Sequence, residues 1–556
     1  MIATFGGPGQ TTAAPLEPGI VAEIGCANCH GDLGTKLPRR EVAPDLSAAG
    51  LRYNPAYLFQ YLLHPMPVRQ HLGRARMPDF HLGEKEALAL VAFLETQQSI
   101  PGSWPELPTN LGRVLPAQSL SPAEVEAAKR EAAVCLGCHT LGGKGGHRAV
   151  EWNNVGARLQ RGWVTEYLVA PSRFGVAPTN MPAFFYRVSG DGRRFEQIFP
   201  RAAEKIQLLA SYLFSLNPQN RQELETNFLA AKARFPQANR TQGEMLFRSL
   251  NCAACHRHQT IAPRRDNAAP LLAQELLRVT PQWLTNFLRH PSPIRPFGYH
   301  PGDGSRMPDF RLSDAEVAEI AGHLIASAKA QPVLSTSFRP QKLSAFSRNK
   351  ARLLLNQKLS CLGCHRLEEQ GGQIGPDLTQ VSARLQPEYV YGMITKPRET
   401  NPHALMPQIP IPPETAELLA NFLLQENLPL RPTTYLSALE TPLTPSEAEG
   451  AAAKPTGKAN YQFYCAQCHG NEGRGNGFNA QFLPQRPTTH ADAAYMSTRS
   501  DDTLFDGVAA GGAILNKSHF MPSWGLSLSS DEIKGLVIYM RTLCQCKQPA
   551  WAADNK

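Results

Sequence analysis

The 556-residue sequence has no uninterrupted apolar run of the roughly eighteen residues that a membrane-spanning helix requires, so no segment is expected to cross a bilayer. Its first residues, MIATFGGPGQTTAAPLEPG, contain neither the basic stretch nor the apolar core of a secretion signal. Delivery is therefore expected to rely on a segment removed earlier or on another route. Clustered Lys/Arg tracts and nucleic-acid recognition motifs are also missing, which leaves the formal charge of +9 without a nucleic-acid reading. Charged residues make up only 19% against 42% hydrophobic, a balance that excludes a disordered chain and supplies packed cores. At this length roughly three to five domains are expected. Methionine is scarce, at eleven residues, so its placement carries information.

Cysteine is also sparse, but it is ordered. Ten of the twelve cysteines form five copies of Cys-x-x-Cys-His: Cys26, Cys29 and His30; Cys135, Cys138 and His139; Cys252, Cys255 and His256; Cys361, Cys364 and His365; and Cys465, Cys468 and His469. Two thiols three residues apart share one face of a helical turn and can add to the two vinyl groups of a porphyrin. The adjacent histidine then supplies an imidazole nitrogen to the iron. A zinc site would need paired Cys-x-x-Cys motifs within a short span, whereas these occur singly and each carries its histidine. A disulfide scaffold is excluded because one spacing recurs along a long chain. Five haem c groups (iron) are therefore expected, and their propionates offset most of the positive charge.

Each motif is followed, 41 to 52 residues downstream of its histidine, by a Met-Pro pair: Met77, Met181, Met307, Met406 and Met521 precede Pro78, Pro182, Pro308, Pro407 and Pro522. Such a loop can circle the porphyrin edge, and the proline stiffens the segment presenting the thioether. Five of eleven methionines in this setting, one per motif, favour a sixth-ligand role over core filling. His64 and His290, each before a proline at the end of an apolar helix, are competing distal ligands, weighed against a helix-end capping role.

An offset of 226 residues relates His30 to His256 and His139 to His365, and also His64 to His290. The string Arg-Met-Pro-Asp-Phe occurs at Arg76–Phe80 and at Arg306–Phe310. The chain thus reads as a two-module unit duplicated in tandem with a fifth module appended: residues 1–110, 111–225, 226–335, 336–440 and 450–550. Proline-rich stretches at Ile100–Pro122 and Pro429–Gly457 mark linkers. Each module closes with an amphipathic helix carrying Phe93, Tyr212, His323, Phe422 or Tyr539 at a matching place. Opening helices precede the motifs. Gly243 and Phe247, like Gly457 and Tyr461, share a face on which the terminal helices of a module are expected to cross. Residues 183–200, with Gly190, Asp191 and Gly192 between aromatic arms, predict a small hairpin.

These residues resemble class I cytochromes c, most closely in the fifth module, with CAQCHGNEGRGNG and later MPSWGLSLSSDEIKGLVIYMRTL. Gly375, Pro376, Asp377 and Leu378, and likewise Pro44, Asp45 and Leu46, resemble the family's proline-containing loop on the histidine side. The second module departs there, reading Glu151, Trp152, Asn153 and Asn154. The resemblance implies an all-α fold of five haem modules.

His/Met ligation closes both axial positions and raises the potential, which suits outer-sphere electron transfer. The expectation is a periplasmic or otherwise extracytoplasmic carrier, not a catalyst, working with redox protein partners or a membrane redox complex. Peripheral membrane association is compatible with this, and a nucleic-acid partner is not expected. A peroxidase-like or sulfur-compound-oxidising enzyme would need one iron with an open or displaceable position. A structural scaffold in a larger complex is a third class. Cys544 and Cys546 lie outside the motifs, and three fates are open to them: a mutual bridge, pairing with another chain, or the reduced state.

Overall fold

The computed structural model describes residues 19–30, 43–66, 68, 76–100, 102–108, 111, 120–174, 181–262, 272, 275–295, 298–299, 306–329, 338–425 and 456–553. About half of the first expected linker, nearly all of the second, and the start of the chain lie outside these residues. The described fold is helical, with three two-stranded hairpins.

Five opening and five closing helices organise it. In chain order they are α1 (Gly19–Ile24), α2 (Glu84–Leu94), α3 (Pro122–Ala132), α4 (Ala202–Ser215), α5 (Arg240–Ser249), α6 (Asp314–Lys329), α7 (Ala345–Gln357), α8 (Pro413–Gln425), α9 (Gly457–Asn460) and α10 (Ser530–Cys544). Odd-numbered helices precede a Cys-x-x-Cys-His motif, and even-numbered ones are the expected closing helices. Their starts are encoded locally. Ser121 with Glu124, Asn239 with Gln242, and Ser529 with Glu532 form reciprocal capping boxes that satisfy otherwise orphaned backbone donors. In α4, Ala202, Ile206, Leu209, Ala210 and Leu213 recur at helical spacing and are buried. Helix α2 departs from the expected single buried face, because Ala87 through Val91 are all buried, as are Phe93 and Leu94. Packing on more than one side accounts for this, and that is why its sequence is nearly continuous in apolar residues.

The chain forms two compact units. One gathers residues up to Pro78, Ala87–Glu275 and Leu312–Gln331; the other gathers Asp79–Glu86, Leu276–Arg311 and Pro332 onward. In the first unit a core built on Trp152, Val155, Trp163, Leu168, Phe185, Ile206 and Leu209 takes Cys135 and Met181 against its edge. Among the described residues the second unit includes two such cores. One contains Phe338, Leu355, Leu362, Leu419 and Phe422 with Cys361 packed on it, and the other contains Tyr461, Trp524, Leu536, Val537 and Met540 with Cys465 and Met521.

The 226-residue offset recurs in hydrogen bonds. In the first unit Tyr53 bridges Leu159, and the Gln160 side-chain amide donates to the carbonyls of Gly50 (2.6 Å) and Tyr53 (3.1 Å). In the second, Val279 bridges Leu385, and Gln386 donates to Leu276 (3.4 Å) and Val279 (3.2 Å). The expected hairpin is present as Tyr186–Val188 paired antiparallel with Phe195–Gln197. The break expected between residues 225 and 226 falls inside a continuous 17-residue helix, Pro218–Arg234, which Pro218 starts and whose Phe228 meets Phe59 with tilted rings 5.8 Å apart.

The terminal helices cross within an expected module in three cases. α3 packs on α4, α7 on α8, and α9 on α10, where a Cβ on Gly457 would strike the Gly535 carbonyl. The first and third modules do otherwise, contrary to the sequence expectation. α5 crosses α2, because a Cβ on Gly243 would strike the Ala89 carbonyl and would lie 2.7 Å from the Phe93 Cβ. α1 packs against α6. The closing helices of two repeats have exchanged partners.

Candidate haem sites

In four motifs the first three residues form a 3₁₀ turn: Cys26–Asn28, Cys135–Gly137, Cys252–Ala254 and Cys361–Gly363. The histidine N–H closes each turn onto the carbonyl of the first cysteine, at 3.0, 3.0, 2.9 and 3.0 Å for His30, His139, His256 and His365. In the fifth, a π turn at Tyr461–Cys465 runs into the helical turn Ala466–His469. Each turn stacks the histidine over the first cysteine, one turn apart, as covalent attachment with axial ligation demands.

The imidazoles are held alike. Nδ1 donates to a backbone carbonyl from His139 to Val150 (2.8 Å), from His256 to Pro44 (2.9 Å), from His365 to Pro376 (2.7 Å) and from His469 to Thr488 (2.9 Å). That bond fixes the tautomer, leaves Nε2 as the basic nitrogen, and raises its basicity toward a metal. Burial pushes all four histidines below their ordinary value, so they are neutral, as metal ligation requires. The second motif keeps its proximal bond despite having no proline there, since any residue provides a carbonyl. At Gly375 the backbone passes so close to the ring that a Cβ would lie 2.7 Å from His365 Nδ1.

Burial likewise pushes the thiols up: Cys26, Cys252 and Cys465 to about 12, Cys361 to about 11, and Cys135, Cys255, Cys364 and Cys468 in the same direction. Sulfurs held neutral in apolar surroundings match the uncharged thioethers that haem attachment makes of them. The donor set, its tautomers and its burial fit covalently bound haem. When bound, haem supplies a one-electron iron couple tuned by axial ligand and burial.

The five methionines are all partly buried. Met181 meets the core that also takes Cys135, and Met521 the core that takes Cys465. Met406 lies in the segment before α8, Met77 in that before α2, and Met307 in that before α6. His64 and His290 are exposed residues capping the helices Pro55–Leu63 and Pro281–Arg289 through their backbone N–H, which agrees with the capping role. Cys544 and Cys546 bridge each other.

Several site residues were not singled out from sequence. Trp152 stacks on His139 with centroids 4.6 Å apart, and His490 stacks on His469 at 4.2 Å while its Nδ1 bonds the Tyr461 hydroxyl at 2.9 Å. Trp152 had a signal, since it stands where the first and fourth modules are expected to carry the proline loop. Two asparagines bring attachment turns together. Asn28 donates to Cys255 Sγ at 3.5 Å, so the turns of the first and third motifs abut. Asn479, fully buried, donates to Cys468 Sγ (3.3 Å) and to the Gly363 carbonyl (2.8 Å), joining the fourth and fifth. A Cβ on Gly363 would strike the Phe520 carbonyl, so glycine is what permits that approach.

Family comparisons agree with this chemistry. The family model described as cytochrome C oxidase, cbb3-type, subunit III matches residues 238–324 and 452–540, and the cytochrome c model matches residues 20–98. No curated protein and no solved structure matches the chain. No helix among the described residues is long and apolar enough to cross a membrane. With its attachment turns, its carbonyl-anchored histidines and these matched domains, the chain is a c-type cytochrome.

Proposed function

We propose that this chain is an extracytoplasmic electron-transfer protein that holds five haem c groups in five modules and passes electrons between redox partners. In this reading it is a soluble or peripheral subunit of a respiratory or photosynthetic complex. Cys26, Cys29, Cys135, Cys138, Cys252, Cys255, Cys361, Cys364, Cys465 and Cys468 hold the porphyrins. His30, His139, His256, His365 and His469 take one axial position, and Met77, Met181, Met307, Met406 and Met521 take the other. The observation that carries the reading is the proximal bond repeated at four histidines, with Nδ1 given to a backbone carbonyl at 2.7–2.9 Å. The protein fixes four of the imidazoles through that bond, partly buries eight of the ten sulfurs while Cys29 and Cys138 stay exposed, and supplies a thioether that favours the ferrous state.

The abutting turns support two close haem pairs, first with third and fourth with fifth, within which electrons exchange faster than along the order of the sequence. The test is a pyridine haemochrome count with a redox titration followed optically and by paramagnetic resonance, under carbon monoxide. Five porphyrins per chain in low-spin, carbon-monoxide-insensitive centres are expected. Fewer porphyrins refute the count. Carbon monoxide binding to one native centre would instead establish an open iron and an oxidoreductase.

A further inference from the structure

We infer that the haem attached at Cys252 and Cys255 is shared between two repeats, with His256 as one axial ligand and Met77, from the other repeat, as the second. The inference rests on the c-type haem reading above and goes beyond it by assigning the ligand pair.

Residues 44–98 supply the proximal acceptor, the loop contact and the closing-helix contacts beside the Cys252–His256 turn. The proximal carbonyl is Pro44, which accepts from His256 Nδ1 at 2.9 Å, and next to it the Leu46 N–H donates to the Arg257 carbonyl at 2.9 Å. His258, two residues past the ligand, bonds the Gln97 side chain at 3.0 Å and stacks on Phe93 with centroids 5.8 Å apart. The opening helix α5 crosses the closing helix α2 through Gly243 against Ala89 and Phe247 against Phe93, the last pair at 5.3 Å and 51°.

The fifth module supplies an internal template for this arrangement. There the opening helix crosses its closing helix through Gly457 against Gly535, and Tyr461 meets Tyr539 at 5.2 Å and 60°. In that module the methionine on the segment leading into the closing helix, Met521, packs in the same core as Cys465. The methionine in the corresponding place before α2 is Met77. Met307 leads into α6, which packs on α1. The thioether follows its closing helix, and the closing helix that covers His256 is α2.

The experiment uses the full-length holoprotein in three forms: unaltered, lacking the third attachment site (Cys252→Ala with Cys255→Ala), and lacking the first (Cys26→Ala with Cys29→Ala). Met77→His is introduced into each. The readouts are the haem count, the thioether-to-iron charge-transfer band and the redox titration. In the unaltered background Met77→His is expected to remove about one fifth of the charge-transfer band and to lower one potential. In the background lacking the third site it should change neither. In the background lacking the first site it should again remove one thioether centre. If Met77→His still removes a thioether centre when the third site is gone, the assignment is overturned and Met77 serves the haem of its own repeat. A haem count below five, or no thioether band in the unaltered protein, would strike the underlying reading instead.

A second arm does not depend on haem-deleted protein accumulating. Phe247→Cys is paired with Phe93→Cys in one variant and with His323→Cys, the matching place on α6, in another, and the exported protein is mapped by peptide mass spectrometry. A 93–247 disulfide is expected. A 247–323 disulfide in its place overturns the assignment.

Discussion

The crossing of α5 and α2 should be unusually sensitive to a single methyl group. A Cβ on Gly243 would strike the Ala89 carbonyl and sit 2.7 Å from the Phe93 Cβ, while Leu246 and Phe247 beside it are 0% and 1% exposed. Neither obstacle is the flexible end of a side chain, so Gly243→Ala must push the helices apart. Overpacking of this kind costs about 1–3 kcal/mol, and loosening the Phe93–Phe247 pair adds about 0.5–1.5 kcal/mol. Together these give a destabilisation of about 2–4 kcal/mol. At about 2–4 °C per kcal/mol for a folding unit of this size, calorimetry of the holoprotein should show a midpoint lowered by about 5–15 °C in the transition of the first unit. The control is Gly322→Ala on α6, where nothing lies within 4 Å of the added carbon and helix propensity favours alanine by about 0.5–1 kcal/mol. Ala89→Gly should not rescue Gly243→Ala, because the atom struck belongs to the backbone. A silent Gly243→Ala would refute the argument that this close approach exists.

Gly375→Ala should displace the His365 imidazole, which a Cβ would approach to 2.7 Å, so that paramagnetic resonance shows one low-spin centre lost or altered while the haem count holds. Asn479→Ala leaves the Gly363 carbonyl and the Gln373 N–H without the bonds they make at 2.8 and 2.9 Å. The expected cost is about 1–3 kcal/mol, with slower exchange between the two haems of that pair by pulse radiolysis. Glu532 accepts the Ser529 backbone N–H at 2.8 Å, which holds its carboxyl below the ordinary value. A depressed folded value means its contribution is present at neutral pH and is lost as pH falls through that value. The stability difference between the native protein and Glu532→Gln, measured by denaturant titration from pH 7 to pH 3, should therefore shrink toward the acid end.

The attachment motifs, closing helices and small hairpin were legible because their signals are local. Cysteine spacing, apolar periodicity and a Gly-Asp-Gly turn each act within a few residues. The proximal acceptors were only half legible. Proline loops marked Pro44 and Pro376 as acceptors, but Val150 and Thr488 contribute a backbone oxygen that carries no residue signature. The exchange between the first and third repeats was hidden for a deeper reason. Duplication gives α2 and α6 equivalent faces and gives α1 and α5 equivalent partners, so periodicity specifies that a closing helix is covered without specifying by which copy. Pro44 was read correctly as a proximal-loop residue, yet the histidine it serves lies 212 positions away. The paired turns were similarly out of reach, since Asn28 and Asn479 act on sulfurs that local sequence does not place near them.

The traded closing helices bear on how such a chain is made and inherited. As the polypeptide emerges from its amino terminus, the apolar surface of α2 around Ala89 and Phe93 has no cover until α5 arrives some 150 residues later. For that interval the first repeat must be kept from aggregating while its porphyrin is being joined. Once the trade was established, neither copy of the duplicated unit was dispensable: a deletion that removes one leaves the other with a bare helix and an unfinished pocket. Interlocking of this kind turns a redundant tandem repeat into a single inseparable object.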